Sequence, residues 1–298
     1  MADRARLPEL SEQEAGVEVK AIYEEIKACC RVPMVALIYR HLATHDGLLE
    51  WSWRVLAPAM RSGALSRAAR EAAAAPLSAQ LPPLTPDAAQ ALGLTEMDLA
   101  AIAYIATAYN TANPHNIIAV RVLMTLLATD EAGGSDASAD GPPVATATFP
   151  ALPPVVQLED MPPALAERVR RLRVSGDDGS RGIVPTLYRH LAHWPDYLMV
   201  SAQALEPLFL NGDIEADASR IATGADTAAA RLAVELAAHD SPEGRHTGAA
   251  REALLATLGA FTATIPEMIT VGRLLAAALP PVRCKCPSGK KLIRWNRL

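Results

Sequence analysis

The chain has 298 residues, a formal net charge of −5 and a hydrophobic fraction of 50%. This size allows a substantial core in one large domain or two fused ones, and the mild negative charge argues against a general nucleic-acid binder. Aromatic residues make up only 4% and alanine is abundant, which favours helix over strand. No uninterrupted apolar run reaches the roughly 18 residues that cross a bilayer, and the N-terminus lacks a signal-peptide apolar stretch. We therefore expect an all-α cytoplasmic protein that binds neither membranes nor nucleic acid.

The first helices are predicted from apolar spacing and from helix-start signals. Ser11-Glu12-Gln13-Glu14 matches a capping box, and the apolar residues after it recur at helical spacing, so we expect a helix over 11–30. Pro33 interrupts this pattern, because proline is poorly tolerated inside a helix. A second helix is expected over 34–43 and a third from Leu48.

The rest of the first half is also predicted to be helical. Thr85-Pro86-Asp87 is a good helix start, and Thr95 is expected to cap a longer helix. The sequence from Tyr109 to Pro114 is expected to end that helix, and a new helix is expected to begin at Pro114.

A linker, a second helical half and a tail follow. The residues over 130–155 are rich in Gly, Ser, Ala, Asp and Pro and show no period, so we expect a linker. The next helix is predicted over 156–174. The residues over 282–298 are basic and are expected to form a solvated tail. We expect Cys284 and Cys286 in that tail to be reduced thiols rather than metal ligands.

The two halves share one pattern. Val32-Pro33 is followed by Tyr-Arg-His-Leu-Ala at residues 39–43, and Val184-Pro185 is followed by the same five residues at 188–192. The Asn-Pro step at Pro114 has a counterpart in the Ile-Pro step at Pro266. The recurrence of these short motifs in the same order in both halves predicts a tandem duplication.

The predicted domain organisation follows from this duplication. We expect a first helical repeat over 10–129 and a second over 156–281, which together form a pseudo-dimer. Pockets often lie between the helices of bundles, so a site is expected in a cleft between the repeats. The protein is then a monomeric pseudo-dimer or a homodimer.

Several residues are candidates for chemistry. Asn113 offers an amide donor and acceptor that can orient a water molecule, or it caps the helix that was expected after it. His41 and His190 occupy equivalent positions, where a histidine is either a packing residue or a base. Cys29 and Cys30 are either buried inert thiols or nucleophiles for a different reaction.

The chain carries no Gly-rich phosphate loop, no His-Glu-x-x-His zinc motif and no Gly-x-Ser-x-Gly elbow. The residues alone therefore indicate a duplicated all-helical protein with an inter-repeat cleft, and we expect no metal site. A small molecule is the expected partner.

An ordered set of short motifs resembles the DehI family, the group I 2-haloacid dehalogenases. The motifs are Tyr23-Glu24-Glu25-Ile26, Arg31-Val32-Pro33, Leu42-Ala43-Thr44, Trp53-Arg54, Asn113-Pro114 and Ala192-His193-Trp194-Pro195. The resemblance covers about residues 10–279. It implies an all-helical pseudo-dimer that hydrolyses short 2-halocarboxylic acids without a cofactor. In this family an Asp activates a water molecule, which attacks the halogen-bearing carbon directly.

The resemblance also implies roles for individual residues. The water-holding Asn matches Asn113, and the wall of the substrate pocket matches Met34 and Leu37. The Ser-Asp pair of the family falls on Thr186 and Leu187, so the general base is replaced by a hydrocarbon side chain.

Other residues could take over the role of the base. His190 follows Leu187 by about one helical turn and is the expected substitute; Asp177 and Asp178 are alternatives. A tyrosine that the family has near the end of the second repeat falls on Thr262. Two functions stay open: a dehalogenase-like hydrolase, and an inactive or repurposed relative that binds a small apolar molecule.

Overall fold

The computed structural model describes residues 8–128, 144, 149–172 and 184–281. Within these residues the chain forms α-helices and short 3-10 turns and no β-strand. Most of the predicted linker lies outside the described residues. The same holds for Asp177, Asp178, Cys284, Cys286 and the basic tail.

The helices are numbered in chain order. Their bounds are α1 Val17–Cys30, α2 Leu37–Leu42, α3 Leu48–Arg61, α4 Ala64–Ala73, α5 Pro86–Ala91, α6 Glu96–Leu127, α7 Pro163–Arg171, α8 Thr186–Leu191, α9 Pro195–Leu210, α10 Asp213–Leu236 and α11 Gly248–Ala278. Two 3-10 turns lie at Leu158–Asp160 and Ala237–His239. The all-α fold class predicted from the sequence is confirmed.

Two predicted helix starts are made by the side chains that the sequence indicated. The Oγ of Thr85 accepts a hydrogen bond from the N–H of Ala88 at 3.2 Å, with Pro86 in the first helical position. The Oγ of Thr95 accepts from the N–H of Asp98 at 3.2 Å, and the Asp98 carboxylate accepts from the N–H of Thr95 at 2.9 Å. Each cap satisfies N–H groups that a helix start leaves without partners.

The predicted start of the first helix is wrong. The Oγ of Ser11 accepts from the N–H of Glu14 at 3.3 Å and donates to the Glu14 carboxylate, so only one half of the capping box forms; it closes a separate turn, and α1 begins only at Val17. Glu12 is used elsewhere, because its carboxylate accepts from the N–H of Val35 at 3.1 Å and from Lys27 Nζ at 2.8 Å. This carboxylate holds the segment before α2.

Other helix starts are also later than predicted. α2 begins at Leu37 instead of Met34, since Ala36 is extended with ψ 149°. α7 begins at Pro163 instead of residue 156, after a 3-10 turn.

The expected helix break at Pro114 is wrong as well. α6 runs without interruption through Pro114. A proline lacks the N–H that bonds the carbonyl four residues earlier, here that of Asn110. An interior proline costs about 3 kcal/mol, but most side chains after it, including Ile117 and Ile118, are fully buried. Burying one such side chain contributes about 1.5–3 kcal/mol, so packing outweighs the lost bond.

The described residues fall into two compact units. The first lies within Met1–Pro76, Thr111–Leu152 and Asp217–Ile269, and the second within Leu77–Asn110, Pro153–Ala216 and Thr270–Leu298. Each unit therefore takes residues from both sides of the predicted linker. The predicted repeats over 10–129 and 156–281 do not coincide with these units, and the duplication stays a prediction.

The first unit contains a buried ionic network. Trp51 Nε1 donates to Asp240 Oδ1 at 3.1 Å, and Arg245 Nη1 donates to the other carboxylate oxygen at 2.7 Å. Arg245 also donates to the carbonyl of Leu126 at 2.7 Å. The Arg245 and Asp240 side chains are only 2% and 1% exposed. One carboxylate thus links α3, the end of α6 and the segment before α11.

The second unit is organised around α9, which packs against α7 and α8. Trp194 Nε1 donates to Asp98 Oδ1 at 2.8 Å and ties the start of α9 to α6. Asn110 Nδ2 donates to the carbonyl of Gly272 at 3.0 Å and ties α6 to the end of α11.

The two Tyr-Arg-His-Leu-Ala segments have similar surroundings. The buried tyrosines, Tyr39 and Tyr188, are 2% and 0% exposed. The carbonyl of Arg40 accepts from the N–H of Leu10, and the carbonyl of Arg189 accepts from the N–H of Val156. These matched contacts support the predicted duplication.

One helix in the described part of the chain, α11, is long and apolar enough to cross a membrane by length and composition alone. Of its most apolar 18-residue stretch, 56% is buried inside the protein. Core helices have the same properties, so this helix by itself assigns no membrane.

A glycine in α11 is expected to be essential for close packing in the second unit. A Cβ on Gly272 would lie 2.3 Å from Asn110 Oδ1, so Gly272→Ala forces Asn110 to move. We expect a loss of about 1–3 kcal/mol in the free energy of unfolding, as for overpacked interiors. The measurement is a urea unfolding curve.

Gly259 is the matched control in the same helix. A Cβ there meets nothing within 4 Å, and alanine is the better helix former. Gly259→Ala should leave the unfolding midpoint unchanged or raise it. An equal loss in both variants would contradict the steric explanation.

Candidate functional site

The start of α8 carries two of the residues that were predicted for the site. Thr186 is the first residue of the helix and is half-buried, after the N-cap Pro185. The Leu187 side chain is 1% exposed. A carboxylate at this position would have to give up its hydration, which is costly without a partner. The leucine is instead part of the apolar core of the second unit.

His190 lies one turn further along α8 and is 5% exposed. Its Nδ1 is hydrogen-bonded to the hydroxyl of Tyr109 in α6 at 2.7 Å. Burial lowers the pKa of His190 to about 4; a backbone hydrogen bond to Pro153 opposes this shift, and the charges of His193 and Arg189 add to it. The imidazole is therefore neutral at pH 7.

Asn113 belongs to the first unit and is half-buried within α6. It is not a helix cap, because α6 continues through Pro114. The alternative that it only caps a following helix is therefore wrong. Because the residue is half-buried, its amide can still bind a water molecule.

The remaining predicted residues also lie in the first unit. Met34 and Leu37 flank the start of α2 and are half-buried. Thr262 is 8% exposed, and its hydroxyl donates to the carbonyl of Gly259 at 2.8 Å within α11. The only hydrogen that the Thr262 hydroxyl can donate is therefore already used in this bond within α11.

The predicted site residues are therefore grouped as two sets. Thr186, Leu187 and His190 share α8 in the second unit, whereas Met34, Leu37, Asn113 and Thr262 belong to the first unit. A joint site made by both sets remains a proposal.

Tyr109 was not predicted as a functional residue. A signal for it exists in the sequence, since Tyr109 precedes Pro114 by five residues and Phe261 precedes Pro266 by five residues. Tyr109 and Phe261 thus occupy matched positions, and the two side chains differ by the hydroxyl of the tyrosine. Sequence alone does not show that this hydroxyl contacts His190.

Comparisons with known proteins show which proteins this chain is similar to. No protein-family model matches the chain. A "2-haloacid dehalogenase, configuration-inverting" from Alcaligenes xylosoxydans xylosoxydans is 26% identical over 232 residues, which are 76% of this chain and 77% of that protein. One of the same description from Pseudomonas sp. (strain 113) is 27% identical over 235 residues, 72% of this chain and 71% of that protein. The chain is thus similar to configuration-inverting 2-haloacid dehalogenases over about three quarters of its length. This confirms the resemblance predicted from the sequence.

Solved structures share the all-helical fold of this chain. A D-2-haloacid dehalogenase mutant in complex with D-2-CPA superposes with a TM-score of 0.72 at 17% identity, over 94% of this chain and 98% of that chain. A second D-2-haloacid dehalogenase mutant gives 0.71 at 19% identity with the same coverage. These likenesses establish the fold.

The two described cysteines, Cys29 and Cys30, are poor nucleophiles. Burial raises the pKa of the Cys29 thiol to about 11, with a further contribution from the Glu25 charge. Cys30 is 3% exposed, and burial raises its pKa still more. Since the thiolate is the reactive form, both thiols are inert at neutral pH. The different reaction considered for them has no support.

Two further features do not involve the predicted site. A cavity of about 410 Å³ in the second unit is lined by Leu77, Ala79, Gln80, Leu81, Arg273, Leu274 and Ala277. In the described parts of the chain, no three His, Cys, Asp or Glu side chains are grouped so that they could hold a metal ion.

Proposed function

We propose that the protein is a hydrolase that removes halide from short 2-halocarboxylic acids by direct attack of an activated water molecule. The observation that carries this proposal is the similarity to two configuration-inverting 2-haloacid dehalogenases over about three quarters of each chain. The substrate is a small molecule, and we propose a cytoplasmic location and no cofactor.

The proposed roles follow the sequence analysis. Asn113 orients the water molecule through its amide, and His190 is the final acceptor of its proton. Thr186 completes the polar part of the site. The wall of the substrate pocket is formed by Met34, Leu37, Leu187 and Thr262.

The electrostatics of His190 suit this role. An ordinary Asp has a pKa of about 3.9, and the pKa of His190 is about 4. The buried imidazole is therefore about as basic as the carboxylate that Leu187 replaces. It also needs no counterion, since its basic form is neutral.

Halide release is the direct test. The protein should release chloride from both enantiomers of 2-chloropropionate. His190→Gln and Asn113→Ala should each lower kcat, by about 10²–10⁴-fold for the loss of the proton acceptor. His193→Gln, an exposed histidine three residues further on, should leave it unchanged. Protein that is folded by circular dichroism and releases no chloride would refute the proposal.

The pH dependence should report His190. The reaction needs the neutral imidazole, and the pKa of His190 is lowered to about 4. The rate should therefore be constant above about pH 6 and fall as the pH drops through about 4, measured as kcat/KM against pH. A decline centred near pH 6.5, the value of an unperturbed histidine, would contradict the assigned role.

Buried Leu187 favours a second function, that of a relative that binds without turnover. In that case the wild-type protein binds 2-chloropropionate or a small apolar molecule in calorimetry and releases no halide. Leu187→Asp should then create halide release, because it restores a carboxylate at the position of the family base. Leu187→Asn is the control, since it has similar size and polarity but cannot accept the proton. Halide release by the wild-type protein would exclude this second function.

A further inference from the structure

The contact between Tyr109 and His190 determines how a proton can reach the imidazole. The two side chains are 9% and 5% exposed, and their polar atoms are 2.7 Å apart. The rings are tilted by 54° with centroids 5.7 Å apart, so they meet through the hydroxyl rather than by stacking. Nδ1 of His190 is therefore covered by the phenol.

The backbone decides which ring nitrogen carries the hydrogen. A carbonyl oxygen accepts hydrogen bonds only, so the bond between His190 and Pro153 needs an N–H of the ring. A neutral imidazole has one N–H and one lone pair. With Nδ1 facing the phenol, the hydrogen belongs on Nε2 and the lone pair on Nδ1. The hydroxyl of Tyr109 then donates to Nδ1.

This arrangement is specific to the second histidine. In the first unit, Nδ1 of the equivalent His41 lies 2.8 Å from the carbonyl of Pro8. The residue that matches Tyr109 in the spacing to the proline is Phe261, which has no hydroxyl. A phenol is therefore provided for His190 alone.

We propose that Tyr109 is a catalytic relay that passes the proton of the attacking water to His190. This inference rests on the proposed function. Tyr109 also precedes Asn113 by four residues in α6, the spacing of neighbouring side chains along a helix.

The step balances as follows. The water oxygen forms a bond to the halogen-bearing carbon, and the halide leaves with the electron pair of the broken bond. The water proton moves to Tyr109 Oη while the hydroxyl proton of Tyr109 moves to His190 Nδ1. The imidazolium later returns its proton to solvent. A neutral phenol is a very weak base by itself, which is why the second transfer must accompany the first.

The kinetic test removes one hydroxyl. Tyr109→Phe keeps the ring but breaks the relay, so kcat should fall about as far as in His190→Gln, by roughly 10²-fold or more, with little change in KM. The double variant should lose no more than either single variant, because residues that act as a unit are not additive.

Tyr39→Phe is the matched control. The Tyr39 hydroxyl is buried and, among the residues that the structure describes, has no hydrogen-bond partner. Its removal should leave kcat unchanged. If Tyr109→Phe retains kcat within threefold of wild type while His190→Gln loses it, the relay is refuted.

A second measurement does not depend on activity. Nitrogen-15 NMR of the histidine rings, with His190 assigned through His190→Gln, reports which nitrogen carries hydrogen. The relay requires hydrogen on Nε2 and a hydrogen-bonded lone pair on Nδ1 in the wild type, with the Nδ1 signal shifted in Tyr109→Phe. Hydrogen on Nδ1 and a free Nε2 would overturn the inference even in an active enzyme. An inactive wild type with the required tautomer would refute the proposed function and the relay step together, while leaving the hydrogen-bond assignment intact.

Discussion

The burial of α8 limits which side chains this helix can carry. A charge placed among its fully packed side chains loses hydration that few partners can replace. Leu187 satisfies this constraint by having no charge, and His190 satisfies it by staying neutral, as its lowered pKa shows. The same burial that disfavours an unpartnered carboxylate therefore also lowers the pKa of His190.

Packing also explains how the long helices tolerate their prolines. Pro114 and Pro266 each leave a carbonyl without its helical partner. In α6 the turns on both sides are held by buried apolar residues, among them Ile105 and Ile118. The freed carbonyls belong to Asn110 and Thr262. Asn110 uses its side chain to bond Gly272 across to α11, so the proline position is fixed by tertiary contacts rather than by the helix itself.

Local signals could be predicted from the sequence, and signals that depend on distant partners could not. The caps at Thr85 and Thr95 involve residues three apart, and both formed as expected. Ser11 and Glu14 also paired, but the chain after them turned away because Glu12 bonds Val35, 23 residues further on. The expected break at Pro114 failed for the same reason, since long-range burial overrides local propensity.

Which segments of the chain make up each compact unit could not be predicted from the sequence either. Each unit needs pieces that are separated by more than a hundred residues, and the repeat pattern alone favours units that follow the chain order. The family resemblance predicts that Leu187 replaces the general base; the comparisons support the resemblance, and the replacement stays a prediction. It could not reveal Tyr109, because the importance of that residue lies in a single 2.7 Å contact between α6 and α8.

Two buried polar networks differ in whether they contain a formal charge. One joins Asp240 to Arg245 and Trp51, and the other joins Tyr109 to His190. Asp240 is matched by Arg245 and Trp51, so its charge is compensated on every described side and its role is structural. Removing one partner of such a pair leaves an isolated buried charge. The Tyr109–His190 pair contains no formal charge at neutral pH and can gain and lose a proton without leaving an unpaired ion in its resting state.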